Sequence, residues 1–224
     1  MNTSSIWLLL IGATILSYVI QAMLKSRFAK YSKVGIGLSG AEVARRMLAE
    51  NGIHDVQVTC IPGTLTDHYN PQTKTVNLSE SVYSQRSIAA AAVAAHECGH
   101  VIQHATGYLP LKLRSALVPA VSFSSNIVQW VLLLGVLLIN ITPALLWLGI
   151  ILFALTTIFS VVTLPVEVNA SHRAIKWLES TGISTYETKP MAVDALKWAA
   201  YTYVIAAVSS LATLLYYISM AERR

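Results

Sequence analysis

Two histidines and a glutamate lie within five residues of an alanine-rich segment, at His96, Glu97 and His100. Side chains four residues apart on a helix share a face, so the two imidazoles are spaced to chelate a single zinc ion. Glu97 lies close to the same face, where it could take a proton from zinc-activated water. This spacing is typical of zinc metalloproteases, although a five-residue pattern also arises by chance. The rest of the chain must therefore decide its meaning.

The composition indicates an integral membrane protein. Of the 224 residues, 54% are hydrophobic and 12% are charged, and the mean hydropathy is +0.56. Apolar stretches of the roughly 20 residues needed to cross a bilayer occur at 1–24, 115–166 and 198–221. A polar residue and a helix breaker interrupt the middle stretch at 140–143, which predicts a hairpin of two helices. We therefore predict about four transmembrane helices.

A cleaved signal peptide is the alternative for the first of these helices, but no basic residue precedes its apolar run.

The spans divide the chain into an anchor, a hairpin, a carboxyl-terminal helix with its tail at 198–224, and two polar segments at 25–114 and 167–197. Basic residues flank the spans on the side of the polar segments. The positive-inside rule then places those segments in the cytoplasm and the amino terminus on the outer side of the membrane. Anionic lipid headgroups account for the net charge of +5. We expect no nucleic-acid partner, because no basic module with interleaved aromatic residues is present.

Two helices are predicted in the segment 25–114. Ser39 and Glu42 have the spacing of a capping box at the start of the first helix. The second is alanine-rich, begins after Ser84 or Ser87 and stops at Gly107. It carries the two histidines in its second half.

A small antiparallel sheet is predicted between these helices, because β-branched and polar residues alternate on both sides of Asn70. A peptide substrate can add as an extended strand along a sheet edge. The runs Leu65–Tyr69 and Thr75–Leu78 are both candidates for that edge.

A catalytic zinc site has three protein ligands and one open position, so a third ligand must come from elsewhere in the chain. His104 lies too far along the helix axis to share an ion with His96. Glu167 is the first charged residue after the predicted hairpin, which returns the chain to the membrane face that it left, although a charge at a span's end can also be merely interfacial. The other downstream acids lie in more polar surroundings, typical of a solvated helix face: Glu179, Glu187 and Asp194.

Two motifs of this chain, "AAHECGHVIQHATGY" and "LPVEVNASHRAI", resemble those of the YugP-type bacterial membrane zinc metallopeptidases. The resemblance extends over most of the chain, including "DHYNPQTKTVNLSE". That family is gluzincin-like, which means that its third zinc ligand is a glutamate. The resemblance implies a zincin-like catalytic part, one Zn²⁺ per chain with His96, His100 and Glu167 as ligands, and Glu97 as general base.

One position departs from the better-known membrane gluzincins related to the heat-shock protease and the prenyl-protein protease. Those proteins have an aspartate four residues after the glutamate that orients a histidine ligand, and Ser171 has that place here. A hydroxyl can also hydrogen-bond to an imidazole, so Ser171 and Asn169 are candidates for this role, with surface packing as the alternative. His172 is a candidate for stabilising the tetrahedral oxyanion.

These observations predict a mainly α integral membrane endopeptidase that acts on membrane-associated or unstructured protein substrates. The alternative is a non-catalytic scaffold or a metal-handling membrane protein with a retained metal site. Structural zinc sites usually have four protein ligands, whereas this sequence offers three. A transporter is expected to have ionisable groups within its spans, and the predicted spans contain none. Both points favour the enzyme.

Overall fold

The computed structural model describes residues 3–222, and most of them are helical, as predicted. The elements are α1 (Thr3–Tyr31), α2 (Gly40–Glu50), β1 (Gln57–Ile61), β2 (His68–Asn70), β3 (Thr75–Ser79), α3 (Glu80–Tyr83), α4 (Ile88–Ala105), α5 (Leu109–Leu137), α6 (Pro143–Ser180) and α7 (Lys189–Glu222). They form two compact units. The motif unit comprises Gln21–Leu111 and Val166–Tyr201, and the apolar unit comprises the described residues up to Ile20, Lys112–Pro165 and those from Thr202 onward.

Three helices, α5, α6 and α7, are long and apolar enough to cross a membrane. They expose large apolar side chains, including Trp130, Leu137 and Ile151, which a lipid environment would cover. The turn between α5 and α6 lies at the predicted Asn140–Pro143 break. Three of the four predicted spans thus fall on helices of membrane length. Residues 1 and 2 of the predicted anchor and residues 223 and 224 of the tail lie outside the described residues, and the first span stays a prediction.

Within the apolar unit, α5 and α6 pack closely through two glycines. A Cβ atom at Gly135 would lie 2.7 Å from the Cα of Leu146, and a Cβ at Gly149 would lie 2.7 Å from a methyl group of Leu132. Small residues are the usual means by which membrane helices approach each other, since lipid provides no hydrophobic driving force. The predicted hairpin is therefore a tightly packed helix pair.

Each of the two helices predicted in the motif unit has a serine as its N-cap residue. The Ser39 hydroxyl accepts a hydrogen bond from the Glu42 N–H, and the Glu42 carboxylate accepts one from the Ser39 N–H at 2.7 Å, so the capping box is confirmed. For α4 the sequence left two starts open, and the structure selects Ser87, whose hydroxyl accepts from the Ala90 N–H at 3.2 Å. Ser84 instead lies at the end of α3.

The sheet has the strand order β1-β3-β2, with β1 parallel and β2 antiparallel to β3. The antiparallel prediction is therefore confirmed for β2 and β3 but wrong for β1 and β3. The chain reverses once between β1 and β2 and again in the hairpin to β3, so β1 and β3 run in the same direction. Because β3 is the central strand, the run Thr75–Leu78 offers no free edge. β2, which contains Tyr69, is an edge strand.

Helix α4 is buried on nearly all sides, and its alanines allow other helices to approach it closely. Ala91, Ala94 and Ala95 are fully buried. One such approach is at Gly99, where a Cβ atom would lie only 2.7 Å from the carbonyl oxygen of Ala170 on α6. A side chain at this position would force the two backbones apart, so Gly99 sets the distance between α4 and α6.

We predict that Gly99→Ala destabilises the protein by about 1–3 kcal/mol, the usual cost of overpacking a close contact. The test is stringent, because alanine is about 1 kcal/mol better than glycine inside a helix. The measurement is the midpoint of thermal unfolding in detergent. Gly37→Ala is the control, since a Cβ atom there has nothing within 4 Å. Equal midpoints for Gly99→Ala and wild type would contradict the close contact.

Candidate metal centre

Two helices bring the candidate ligands together. His96 and His100 lie one turn apart on α4, with ring centroids 4.8 Å apart and ring planes at 86°. Glu167 lies on α6, and its Oε2 atom is 3.2 Å from His96 Nε2 and 3.6 Å from His100 Nε2. The ligand atoms of the three residues all lie within 4.8 Å of one another. Tetrahedral zinc with bonds of about 2.0–2.1 Å separates its ligand atoms by roughly 3.3 Å, so this arrangement fits a single ion.

The outer nitrogens of both imidazoles are hydrogen-bonded. Ser171 Oγ lies 3.1 Å from His96 Nδ1, and Gln103 Oε1 lies 3.1 Å from His100 Nδ1. Both rings therefore present Nε2 to Glu167. Metal-binding histidines generally have such a partner on the second nitrogen, which fixes the ring. The structure thus places Ser171 where it could orient His96, the role that the sequence left open.

Gln103 was not predicted from the sequence. It is fully buried, and its amide nitrogen donates to the carbonyl of Val166 at 2.8 Å and to Asn169 Oδ1 at 3.0 Å. The available signal was a polar side chain one turn after His100 on the same face of α4. Asn169 was a candidate for contacting a histidine directly. The structure instead joins Asn169 to His100 through Gln103.

Glu97 is buried beside the two histidines, with 8% of its surface exposed. Burial lowers the pKa of His100, but the hydrogen bond with Glu167 and the negative charges of Glu97 and Glu167 outweigh this effect, so the pKa of His100 is raised. Protons compete with a metal ion for His100, because histidine binds metal in its neutral form. Metal affinity should therefore fall as the pH is lowered.

Asp67, in the loop before β2, is a second acid that the sequence prediction omitted. Its carboxylate accepts a hydrogen bond from the Ser79 N–H at 2.7 Å. Burial raises the pKa of Asp67, the bonds from Ser79 oppose this, and the nearby charge of Glu97 adds to the increase. A partly buried acid thus lies near enough to Glu97 for their charges to interact.

Other candidate residues lie away from the three clustered side chains. His172 is exposed and lines an apolar groove of about 300 Å³ with Val168 and Ile175. His104 Nδ1 lies 3.1 Å from the hydroxyl of Tyr69, which connects α4 to the edge strand β2. The oxyanion role of His172 stays a prediction.

Comparison with known proteins indicates the class of protein for which this site is suited, the zinc metallopeptidases. A family model described as "Putative neutral zinc metallopeptidase" matches residues 6–222, and the chain belongs to that family. The "Putative membrane protease YugP" of Bacillus subtilis (strain 168) is 46% identical over 212 residues, which cover 94% of this chain and 93% of that protein. No solved structure matches significantly. The resemblance noted from the two motifs is thereby confirmed.

We predict that Glu167→Gln lowers zinc affinity by more than the roughly 10- to 100-fold that follows loss of a residue hydrogen-bonded to a ligand. The amide is a neutral and much weaker ligand than the carboxylate. Zinc affinity is measured by competition with a chromophoric chelator. Glu179→Gln is the matched control on the same helix, because Glu179 forms an exposed ion pair with Lys189. Equal affinities of the two variants would exclude Glu167 as a ligand.

Proposed function

We propose that this chain is a zinc-dependent endopeptidase of the bacterial cytoplasmic membrane that hydrolyses peptide bonds in membrane-associated or unstructured protein substrates. The observation that carries the proposal is the cluster of His96, His100 and Glu167, with ligand atoms within 4.8 Å of one another and Glu97 beside it on α4. Membership of a family described as zinc metallopeptidases supports the same function. So does the similarity to a protein named as a membrane protease.

The chain's own residues can be given distinct roles. His96, His100 and Glu167 would hold the ion, which supplies a positive charge that acidifies water and polarises a carbonyl oxygen when bound. Glu97 accepts a proton from water as the water oxygen attacks the carbonyl carbon, and it returns that proton to the amine nitrogen when the C–N bond breaks. His172 is the candidate that would hydrogen-bond to the oxyanion.

The number of ligands favours catalysis over a structural role. Structural zinc sites are usually closed by four protein ligands, whereas catalytic sites have three and keep one position open. The cluster found among residues 3–222 contains three ligating residues. A retained metal site in a non-catalytic scaffold is therefore the less favoured alternative.

The order of elements along the chain supports a multi-pass arrangement with substrates near the membrane. Glu167 follows the most apolar part of α6 by a few residues, and α4 is separated from α5 by a short loop. The basic residues that flank the apolar stretches, among them Lys25, Lys112 and Arg173, favour a cytoplasmic active site and an external amino terminus. The free edge of β2 is where an extended substrate would pair, since β3 is central in the sheet.

We predict that Glu97→Gln abolishes peptide hydrolysis and keeps near-stoichiometric zinc. The amide cannot accept the proton from water, and residue 97 is not among the proposed ligands. Cleavage of an unstructured polypeptide by purified protein in detergent measures the activity, and metal analysis of the same sample measures zinc. Glu80→Gln is the matched control, since Glu80 is an exposed acid in α3 of the same unit.

Cleavage by Glu97→Gln at the wild-type rate would show that Glu97 is not the base. Wild-type protein that binds zinc but cleaves nothing in a broad peptide library would favour the scaffold. Activity that survives a strong chelator would contradict a metal-dependent mechanism.

A further inference from the structure

Gln103 contacts both helices that carry the proposed ligands. Its side-chain oxygen lies 3.1 Å from His100 Nδ1 on α4, and its side-chain nitrogen lies 2.8 Å from the carbonyl oxygen of Val166 on α6. Val166 immediately precedes Glu167. The fully buried amide of Gln103 therefore connects His100 to the helical turn that carries Glu167.

The chemistry of its partners leaves only one orientation for this amide. The carbonyl of Val166 can only accept a hydrogen bond, so it must face the NH₂ group of Gln103. Asn169 Oδ1 also accepts from that NH₂ group, and it accepts from Arg173 Nε at 2.8 Å as well. Because a guanidinium has donors only, Arg173 keeps the oxygen of Asn169 turned toward this network. Both acceptors thus direct the nitrogen of Gln103 toward α6.

The side-chain oxygen of Gln103 must then face His100 Nδ1. A neutral imidazole has one N–H, and an oxygen acceptor at Nδ1 holds that proton there. This leaves Nε2, the atom that faces Glu167, to offer its lone pair to a metal ion in place of the proton that would otherwise bond it to that carboxylate. Ser171, the partner of His96, has a hydroxyl that can donate or accept, so it imposes no such choice on its ring.

We infer that Gln103 is a positioning residue that fixes the tautomer and the ring orientation of His100 for metal binding, and that Asn169 and Arg173 hold Gln103 in place. The inference rests on the proposed function for its metal site. This role also explains why residue 103 has an amide side chain and not a carboxylate. A carboxylate at this position would direct an oxygen at the carbonyl of Val166, and the two acceptors would repel each other.

The test compares Gln103→Met with wild type in full-length, detergent-purified protein. Methionine has a volume similar to that of glutamine, but it has no side-chain oxygen to accept a hydrogen bond from His100 Nδ1–H. We expect Gln103→Met to lower zinc affinity by roughly 10- to 100-fold, measured with a chromophoric chelator. In metal-free Glu167→Ala protein at alkaline pH, which lacks the carboxylate that competes for the proton at Nε2, ¹⁵N spectra of labelled histidine should show His100 with its proton on Nδ1. Adding Gln103→Met should shift that proton toward Nε2. His100→Ala assigns the signal.

Gln85→Met is the control, because Gln85 donates to the carbonyl of Ser32 in the same unit. Should Gln103→Met fail to fold, Gln103→Asn replaces it, since its amide is one methylene too short to reach His100 and Val166 together. Unchanged zinc affinity or an unchanged tautomer in the variant would overturn the inference. So would a loss of affinity that is matched by Gln85→Met. Tight zinc binding by wild type, with the expected loss of affinity in Gln103→Met but no proteolysis, would contradict the proposed function and leave this inference standing.

Discussion

The close approach of α4 and α6 at Gly99 is the constraint on which the site depends. With a hydrogen atom in place of a side chain, the backbone of α4 reaches the carbonyl of Ala170. His96 lies one turn before this contact and His100 directly follows it, so both imidazoles are brought to Glu167 on α6. The same proximity lets Gln103 reach the carbonyl of Val166. The distance between these two backbones thus determines where the candidate ligands and their hydrogen-bond partners lie.

The buried negative charges near the contact between α4 and α6 favour binding of a cation. Glu97 and Glu167 are both buried, and burying a carboxylate without a positive partner is costly. In the metal-free protein, the raised pKa of His100 reflects this negative surrounding. A divalent cation would neutralise the same charges while leaving both imidazoles neutral. The hydrogen-bond partners of the imidazoles, Ser171 and Gln103, are uncharged, so the negative charge near the ring nitrogens comes from Glu97 and Glu167, with Asp67 close to Glu97.

Local signals in the sequence were sufficient for several features. The capping box at Ser39, the turn at Asn140 and the spacing of His96 and His100 all depend on residues close together in the chain. The proximity of Glu167 could also be anticipated, because a hairpin of two membrane-length helices returns the chain to its starting side. In each case the sequence itself limits the geometry to few solutions.

Features that depend on tertiary packing could not be predicted in this way. The order of the strands depends on which edge of β3 receives β1, and alternation of residue types does not encode that choice. Gln103 gains its importance only from Val166 and Asn169, which are more than 60 residues away along the chain. In the sequence alone, Gln103 does not differ from any other polar residue near the end of a helix. Asp67 was missed for the same reason, since only the fold places it near Glu97.

X-ray absorption at the zinc K-edge of the purified, zinc-loaded protein tests the central claim most directly, because it reports the atoms bound to the ion. We expect nitrogen and oxygen neighbours at about 2.0–2.2 Å, with the multiple scattering of two imidazoles and no sulfur. Sulfur at about 2.3 Å, or the same spectrum from a protein without His96 and His100, would contradict a centre formed by these helices.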